Sequence, residues 1–289
     1  MDRPMHMNAP AAEYFVPSPT RWPILAAAGL LILAFGAAAW VNAATAGPYV
    51  LAVGAVVVAY VAVGWFGDLI REGRRGLYDD QVEGALRTGM AWFIYSEVVV
   101  FGALFGTLFY LRMVSVPGLA SGDTHALLWP AFKGGWPVGG PDITGAITAM
   151  KASGLPAINT LMLLASGGMV TLAHAALKKG QRGRVIAFLL ATIVIGILFL
   201  RNQVHEYSHA YTALHLTLAS GAYGATFFTI TGLHGLHVAI GTGFMVVMLE
   251  RMLRGDFTAK HDVGFVAATW YWHFVGVVWL IVFVLVYLL

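Results

Sequence analysis

Seven stretches of the chain are apolar for long enough to cross a lipid bilayer, and clusters of polar or charged residues separate them. A helical crossing needs about 20 apolar residues. The pattern predicts spans at Ile24–Asn42, Tyr49–Phe66, Thr88–Leu111, Leu155–Leu177, Val185–Phe199, Gly221–Leu249 and Val263–Leu289. The fifth is short and gains length if the polar residues after it continue the helix. Glycine and proline inside the runs do not argue against helices, because neighbouring helices re-satisfy the backbone. Gly47-Pro48 predicts a tight turn between the first two spans. The expected fold class is therefore all-α, a polytopic membrane protein with seven transmembrane helices. Residues 1–23 contain no apolar run of the signal-peptide kind and read as a proline-rich surface arm. The longest connector, about Arg112–Gly154, is rich in Gly, Pro and Trp without a strong period. It reads either as a plain connector or as a cap on a neighbouring protein.

Charge orients the spans. If the N-terminus is inside, thirteen Lys and Arg fall on inside segments, among them Arg71, Arg74, Arg75, Lys178, Arg182, Arg251 and Arg254. Four fall outside: Arg112, Lys133, Lys151 and Arg201. Positive charge accumulates on the cytoplasmic side, so the count favours an inside N-terminus and an outside C-terminus, and with them an odd number of spans.

Composition narrows the chemistry. Only 11% of the 289 residues are charged, against about 25% in a soluble domain. Cysteine is absent, which removes disulfides, thiolate ligands and cysteine nucleophiles. The formal charge of +3 is small and scattered over loops, so nucleic acid is not an expected partner.

Glu97 is the outstanding candidate residue. Between Arg87 and Arg112 the chain reads TGMAWFIYSEVVVFGALFGTLFYL, with Glu97 the one charged type among them. It sits roughly 15 Å along a helix from Arg87. An ionised carboxylate at that depth costs several kcal/mol or more unless it is protonated, paired or wetted. Either it bonds a neighbouring helix or it serves a proton relay. Histidines form a second group: His205, His209 and His215 in RNQVHEYSHAYTALH, His234 and His237 in TGLHGLHV, and His273 in the last span. His205-Glu206-x-x-His209 spells a zinc-protease motif, but at a span end and without a third ligand. Packed or interfacial histidines are the simpler reading. Gly102 and Gly106 form GxxxG, which predicts a close helix contact. Gly232, Gly235, Gly241 and Gly243 thin the sixth span in the same way. Trp270, Trp272 and Trp279 read as lipid-facing belt aromatics.

Several segments together resemble subunit III of haem–copper cytochrome c oxidase. They are WFGDLIREG (Trp65–Gly73), FIYSEVVVFGALF (Phe93–Phe105), PAINTLMLLASG (Pro156–Gly167), QVHEY (Gln203–Tyr207), YGATFFTITGLHGLHVAIGT (Tyr223–Thr242) and WYWHFVGVVWL (Trp270–Leu280). They occur in family order, and FVPSPTRWP resembles the family's N-terminal segment. The resemblance implies a two-helix part (residues 24–66), an inner loop (67–87) and a five-helix bundle (88–289), with a lipid-filled cleft between the two parts. The presence of the first two spans resembles the cytochrome c-oxidising type, because quinol-oxidase and nitric-oxide-reductase relatives typically lack them.

The resemblance also implies an accessory subunit with no catalysis and no metal of its own. Haem A and copper belong to subunits I and II, and cytochrome c serves the whole complex. The expected location is a bacterial inner membrane or an equivalent respiratory membrane. Glu97 falls on the family's buried, carbodiimide-reactive carboxylate. Trp65 and Glu72 match cleft positions, and Arg251 and Arg254 match basic positions that meet phospholipid headgroups. The chain departs from the pattern FEAAAWYWHFVDVVW at Val266, Thr269 and Gly276, so roles resting on those two acidic residues do not carry over. Gly76-Leu77-Tyr78 stands where some relatives have histidines near the cleft. Two other classes stay open: a membrane enzyme with a metal on His205, His209, His234 and His237, and a proton-coupled transporter using Glu97.

Overall fold

A computed structural model describes residues 19–143, 147–257 and 262–289. Most of the expected N-terminal arm lies outside the described residues. Among them, seven helical stretches are long and apolar enough to cross a membrane. The chain divides into two compact units, Met1–Leu86 and Arg87–Leu289.

The first unit is built on an antiparallel hairpin of α1 (Trp22–Val41) and α2 (Gly47–Arg74). Its buried positions are Trp22, Gly29 and Gly36 on α1 and Gly47, Gly54 and Val61 on α2. Each set repeats every seven residues, the interval that keeps one helix edge against its partner. The seam is made of missing side chains. A Cβ on Gly54 would stand 2.5 Å from the Leu33 backbone nitrogen, and one on Gly36 would overlap the Leu51 backbone. Gly47 and Pro48 are the first two residues of α2 rather than the turn. Proline suits that place because a first-turn N–H has no helical partner. The helices also outrun the apolar segments: α2 continues to Arg74 and α3 (Asp80–Tyr110) begins before Arg87. The stretch expected as an inner loop is mostly helical.

In the second unit α3 runs on through a π-helical turn, Leu111–Ser115, and a further turn, α4 (Val116–Leu119). After α5 (Gly122–Leu128) and an irregular connector come α6 (Leu155–Lys178), α7 (Arg182–Thr212), α8 (Gly221–Arg254) and α9 (Val263–Val282), which ends in a π-helical segment, Phe283–Leu288. α6 packs on α7 and α9, and α8 lies between α7 and α9. α3 joins them through Phe101 against His237 and Phe274, and Phe93 against Tyr271. The fifth span does absorb the polar residues after Phe199, because α7 stays helical to Thr212.

The long connector docks on its own chain. The first N–H groups of a helix lack internal acceptors, and here Ala222 and Tyr223 donate to the Gly139 and Val138 carbonyls at 2.7 and 3.0 Å. Gly221 permits this approach: its φ is +76°, and a Cβ there would collide with Gly139. Two expectations fail. Gly102 and Gly106 are exposed, and a Cβ on either would meet no other element within 4 Å, so this GxxxG is not a contact within the described chain. Trp272 and Trp279 are core residues at 1% and 0% exposure; of the three tryptophans only Trp270 is exposed. Trp272 reaches Ser166 and Trp279 reaches Thr160, each through an indole N–H. These donors need buried acceptors, which lipid does not provide.

Candidate functional site

α3 and α8 bring Glu97 and His237 together. His237 Nε2 lies 3.0 Å from Glu97 Oε2, and their side chains are 9% and 19% exposed. The other ring nitrogen, Nδ1, lies 2.8 Å from the Leu233 carbonyl. A carbonyl only accepts, so Nδ1 carries a hydrogen. The Nε2–Oε2 contact then holds one proton, shared in one of two ways. A neutral imidazole accepts from a carboxylic acid, or an imidazolium donates to a carboxylate. Either way the pair carries no net charge, which answers the cost of placing an acid in a membrane helix. The ring is fixed by Phe101, 5.1 Å away and edge-on, and by Tyr271, stacked at 6.3 Å. This arrangement can hold a proton or pass it between imidazole and carboxyl.

The other predicted residues fall at two places. Trp65 and Glu72 line one cavity of about 250 Å³ in the first unit, together with Trp22, Asp68, Tyr78 and Val82. Trp22 donates its indole N–H to Asp68 at 2.5 Å, and Asp68 also pairs with Arg71. The Tyr78 hydroxyl donates to Glu72 at 2.9 Å. Burial, with the Glu72 carboxylate beside it, pushes the Tyr78 phenol well above its ordinary 10.0. Tyr78 therefore supplies a polar contact where relatives were expected to use histidine. Arg251 and Arg254 close α8. Arg251 bonds Asp256 at 3.4 Å and lies 4.4 Å over the Phe257 ring, while Arg254 pairs with Glu250. Their charge is partly balanced by the chain itself.

A charge cluster at the start of α9 was not legible in the sequence. The Asp262 side chain, fully buried, meets Lys178 at 2.7 Å, His174 at 2.8 Å and Arg87 at 3.5 Å. Burial pushes this carboxyl up, but the hydrogen bonds and charges of Lys178 and His174 outweigh it and hold Asp262 below its ordinary 3.8. The cluster ties together the ends of α3, α6 and α9. It was unreadable because its members lie far apart along the chain.

The HExxH letters come apart in space. His205 and His209 are exposed while Glu206, between them, is 2% exposed. Among the described residues no three His, Cys, Asp or Glu converge as a metal-ligand set. His273 bonds the Thr269 carbonyl and the Thr171 hydroxyl. The Thr269 bond lies within α9, and the Thr171 bond joins α9 to α6. Glu206 is also more deeply buried than Glu97, 2% exposed against 19% for the Glu97 side chain. The signal was present: Phe199, Gln203, Glu206 and Ala210 are buried on α7 at helical spacing.

The profile of the family described as cytochrome c oxidase subunit III matches residues 12–289. The chain belongs to the cytochrome c oxidase subunit III family. It is 38% identical over 278 residues to cytochrome c oxidase subunit 3 of Formosania lacustris, covering 96% of this chain and 97% of the relative. The subunit 3 of Latimeria chalumnae gives the same values. That of Gadus morhua is 37% identical over 282 residues, 97% of this chain and 98% of the relative. A cytochrome c oxidase subunit III is a multi-pass membrane component of the respiratory oxidase and works in complex with other oxidase subunits. The seven apolar helices agree with that membership.

Proposed function

We propose that this chain is an accessory, non-catalytic subunit that stabilises the catalytic core of a cytochrome c oxidase and supports proton uptake during reduction of oxygen to water. Subunits I and II, with haem A and copper, are its direct partners, and cytochrome c is the donor to the whole complex. The observation that carries this reading is the Glu97–His237 pair, a proton-holding unit whose charge cancels within the chain. It suits proton handling and helix cohesion, and it needs no electron transfer through this subunit. The resemblance to the family matches Glu97 to its buried carboxylate.

Bound phospholipid belongs to the same proposal. The cavity beside Trp65 and Glu72 offers aromatic and aliphatic walls to an acyl chain and a polar edge to a headgroup. Arg251 and Arg254, at one end of α8, suit anionic headgroups. The excess of Lys and Arg on one set of segments supports an inside N-terminus in a bacterial inner membrane or an equivalent respiratory membrane.

Affinity purification of the tagged chain in mild detergent tests the reading. Haem A and copper are expected to co-purify in stoichiometric amounts with two larger subunits. Recovery of the chain alone, with its own stoichiometric haem, iron or zinc, would overturn it.

A further inference from the structure

A second polar group lies buried in the Arg87–Leu289 unit, on helices other than the Glu97 helix. Gln203 and Glu206 sit on the buried face of α7, His234 on α8 and Tyr287 on the segment after α9. They are 5%, 2%, 0% and 7% exposed. Seven of their side-chain atoms have no hydrogen-bond partner: both Gln203 amide atoms, both Glu206 oxygens, both His234 nitrogens and the Tyr287 hydroxyl oxygen. Buried polar atoms are nearly always satisfied. Leaving seven bare would cost as much as a domain's whole net stability.

The surroundings say what satisfies them. The ionisable groups facing Glu206 are the phenols of Tyr207, Tyr223 and Tyr287. Tyr207 is already committed, at 2.7 Å, to Thr231. The Tyr287 hydroxyl lies within reach of the Glu206 carboxyl, and the Tyr207 hydroxyl within reach of Gln203, but neither contact is a well-formed hydrogen bond. α8 presents backbone rather than side chains here. A Cβ on Gly232 would stand 3.4 Å from the Tyr207 hydroxyl, and one on Gly235 would stand 3.9 Å from Gln203. The site thus mixes acceptors (carboxyl, amide oxygen) with donors (amide N–H, phenol). A divalent metal would use only the acceptors. Water both donates and accepts, and a buried water typically makes about three such bonds.

We propose that Glu206, Gln203, His234 and Tyr287 bind internal water, which makes Glu206 a second hydrated carboxyl of this unit, separate from Glu97. His234 lies three residues before His237 on α8, with its ring packed against Phe199 and Trp279.

Pulsed hydroxyl-radical labelling of the assembled complex, read by mass spectrometry, tests this, because radicals form from water beside the residue they oxidise. Trp272 is the control. It is 1% exposed, its N–H bonds Ser166 at 3.0 Å, and its ring is at least as reactive as phenol or imidazole. Tyr287 and His234 are expected to be oxidised severalfold more than Trp272. Glu206→Leu is expected to lose the Tyr287 labelling, and Glu206→Gln to keep it. Labelling of Tyr287 and His234 no higher than Trp272 in the unmodified complex overturns the proposal, and this holds even if Glu206→Leu fails to assemble. Undiminished Tyr287 labelling in an assembled Glu206→Leu complex overturns the role given to Glu206.

Discussion

Glu97 and His237 solve a problem that neither solves alone. The ring is anchored by its Leu233 bond, so a single proton lies between imidazole and carboxyl, and the pair stays neutral wherever that proton sits. Glu97→Leu strands Nε2 and is expected to cost about 1–3 kcal/mol, lowering the thermal midpoint of the purified complex. Glu97→Gln can still donate an amide N–H to a neutral ring. It is expected to leave the midpoint and the initial rate of oxygen reduction close to the unmodified values. Equal losses in the two variants would put the proton on His237 instead. Asp262 gives a pH prediction. Its folded carboxyl titrates below its ordinary 3.8, so its stabilisation is complete above that value and disappears as pH falls through the lower, folded one. Asp262→Asn should cost about 1.5–3 kcal/mol near neutrality and flatten the acid limb of stability against pH. A chemical-denaturation series across that limb reads both effects. Depth in the membrane was enough to single out Glu97 from sequence. Its partner was not legible, because His237 lies 140 residues away and helix pairing is a tertiary fact.

At the scale of helices, hydropathy located the seven spans because lipid demands length and apolarity whatever the neighbours. It missed the ends, since amphipathic extensions such as RNQVHEYSHAYT stay helical by burying one stripe and exposing the rest. It also misplaced contacts. GxxxG at Gly102 and Gly106 meets nothing within the described chain, while Gly241 does bring α8 against Trp272 as expected, and Gly36 and Gly54 lie on a seven-residue seam between α1 and α2. Spacing alone says that two helices can approach, not which face does. Gly36→Leu is expected to push α1 off α2 at a cost of about 1–3 kcal/mol or more. Limited proteolysis in detergent should then cut the Asn42–Ala46 connection faster. An unchanged cleavage rate would argue against the seam. The tryptophans were misread for a related reason: an indole N–H bonded to a buried hydroxyl is as good a reason for tryptophan in a membrane helix as the lipid interface.

For the whole molecule, family membership rests on nearly the full chain, and the proposed accessory role concerns how long the assembled oxidase keeps working. Its lipid component predicts that Arg251→Ala with Arg254→Ala weakens retention of anionic phospholipid, measured by lipid mass spectrometry of the purified complex. Oxygen consumption followed to exhaustion of activity, by the complex with this chain and by the complex stripped of it, tests the accessory role. An accessory subunit gives a similar initial rate in both and a much earlier loss of activity without the chain. Immediate loss of nearly all oxygen reduction from a stripped complex that keeps its haem A and copper would contradict it.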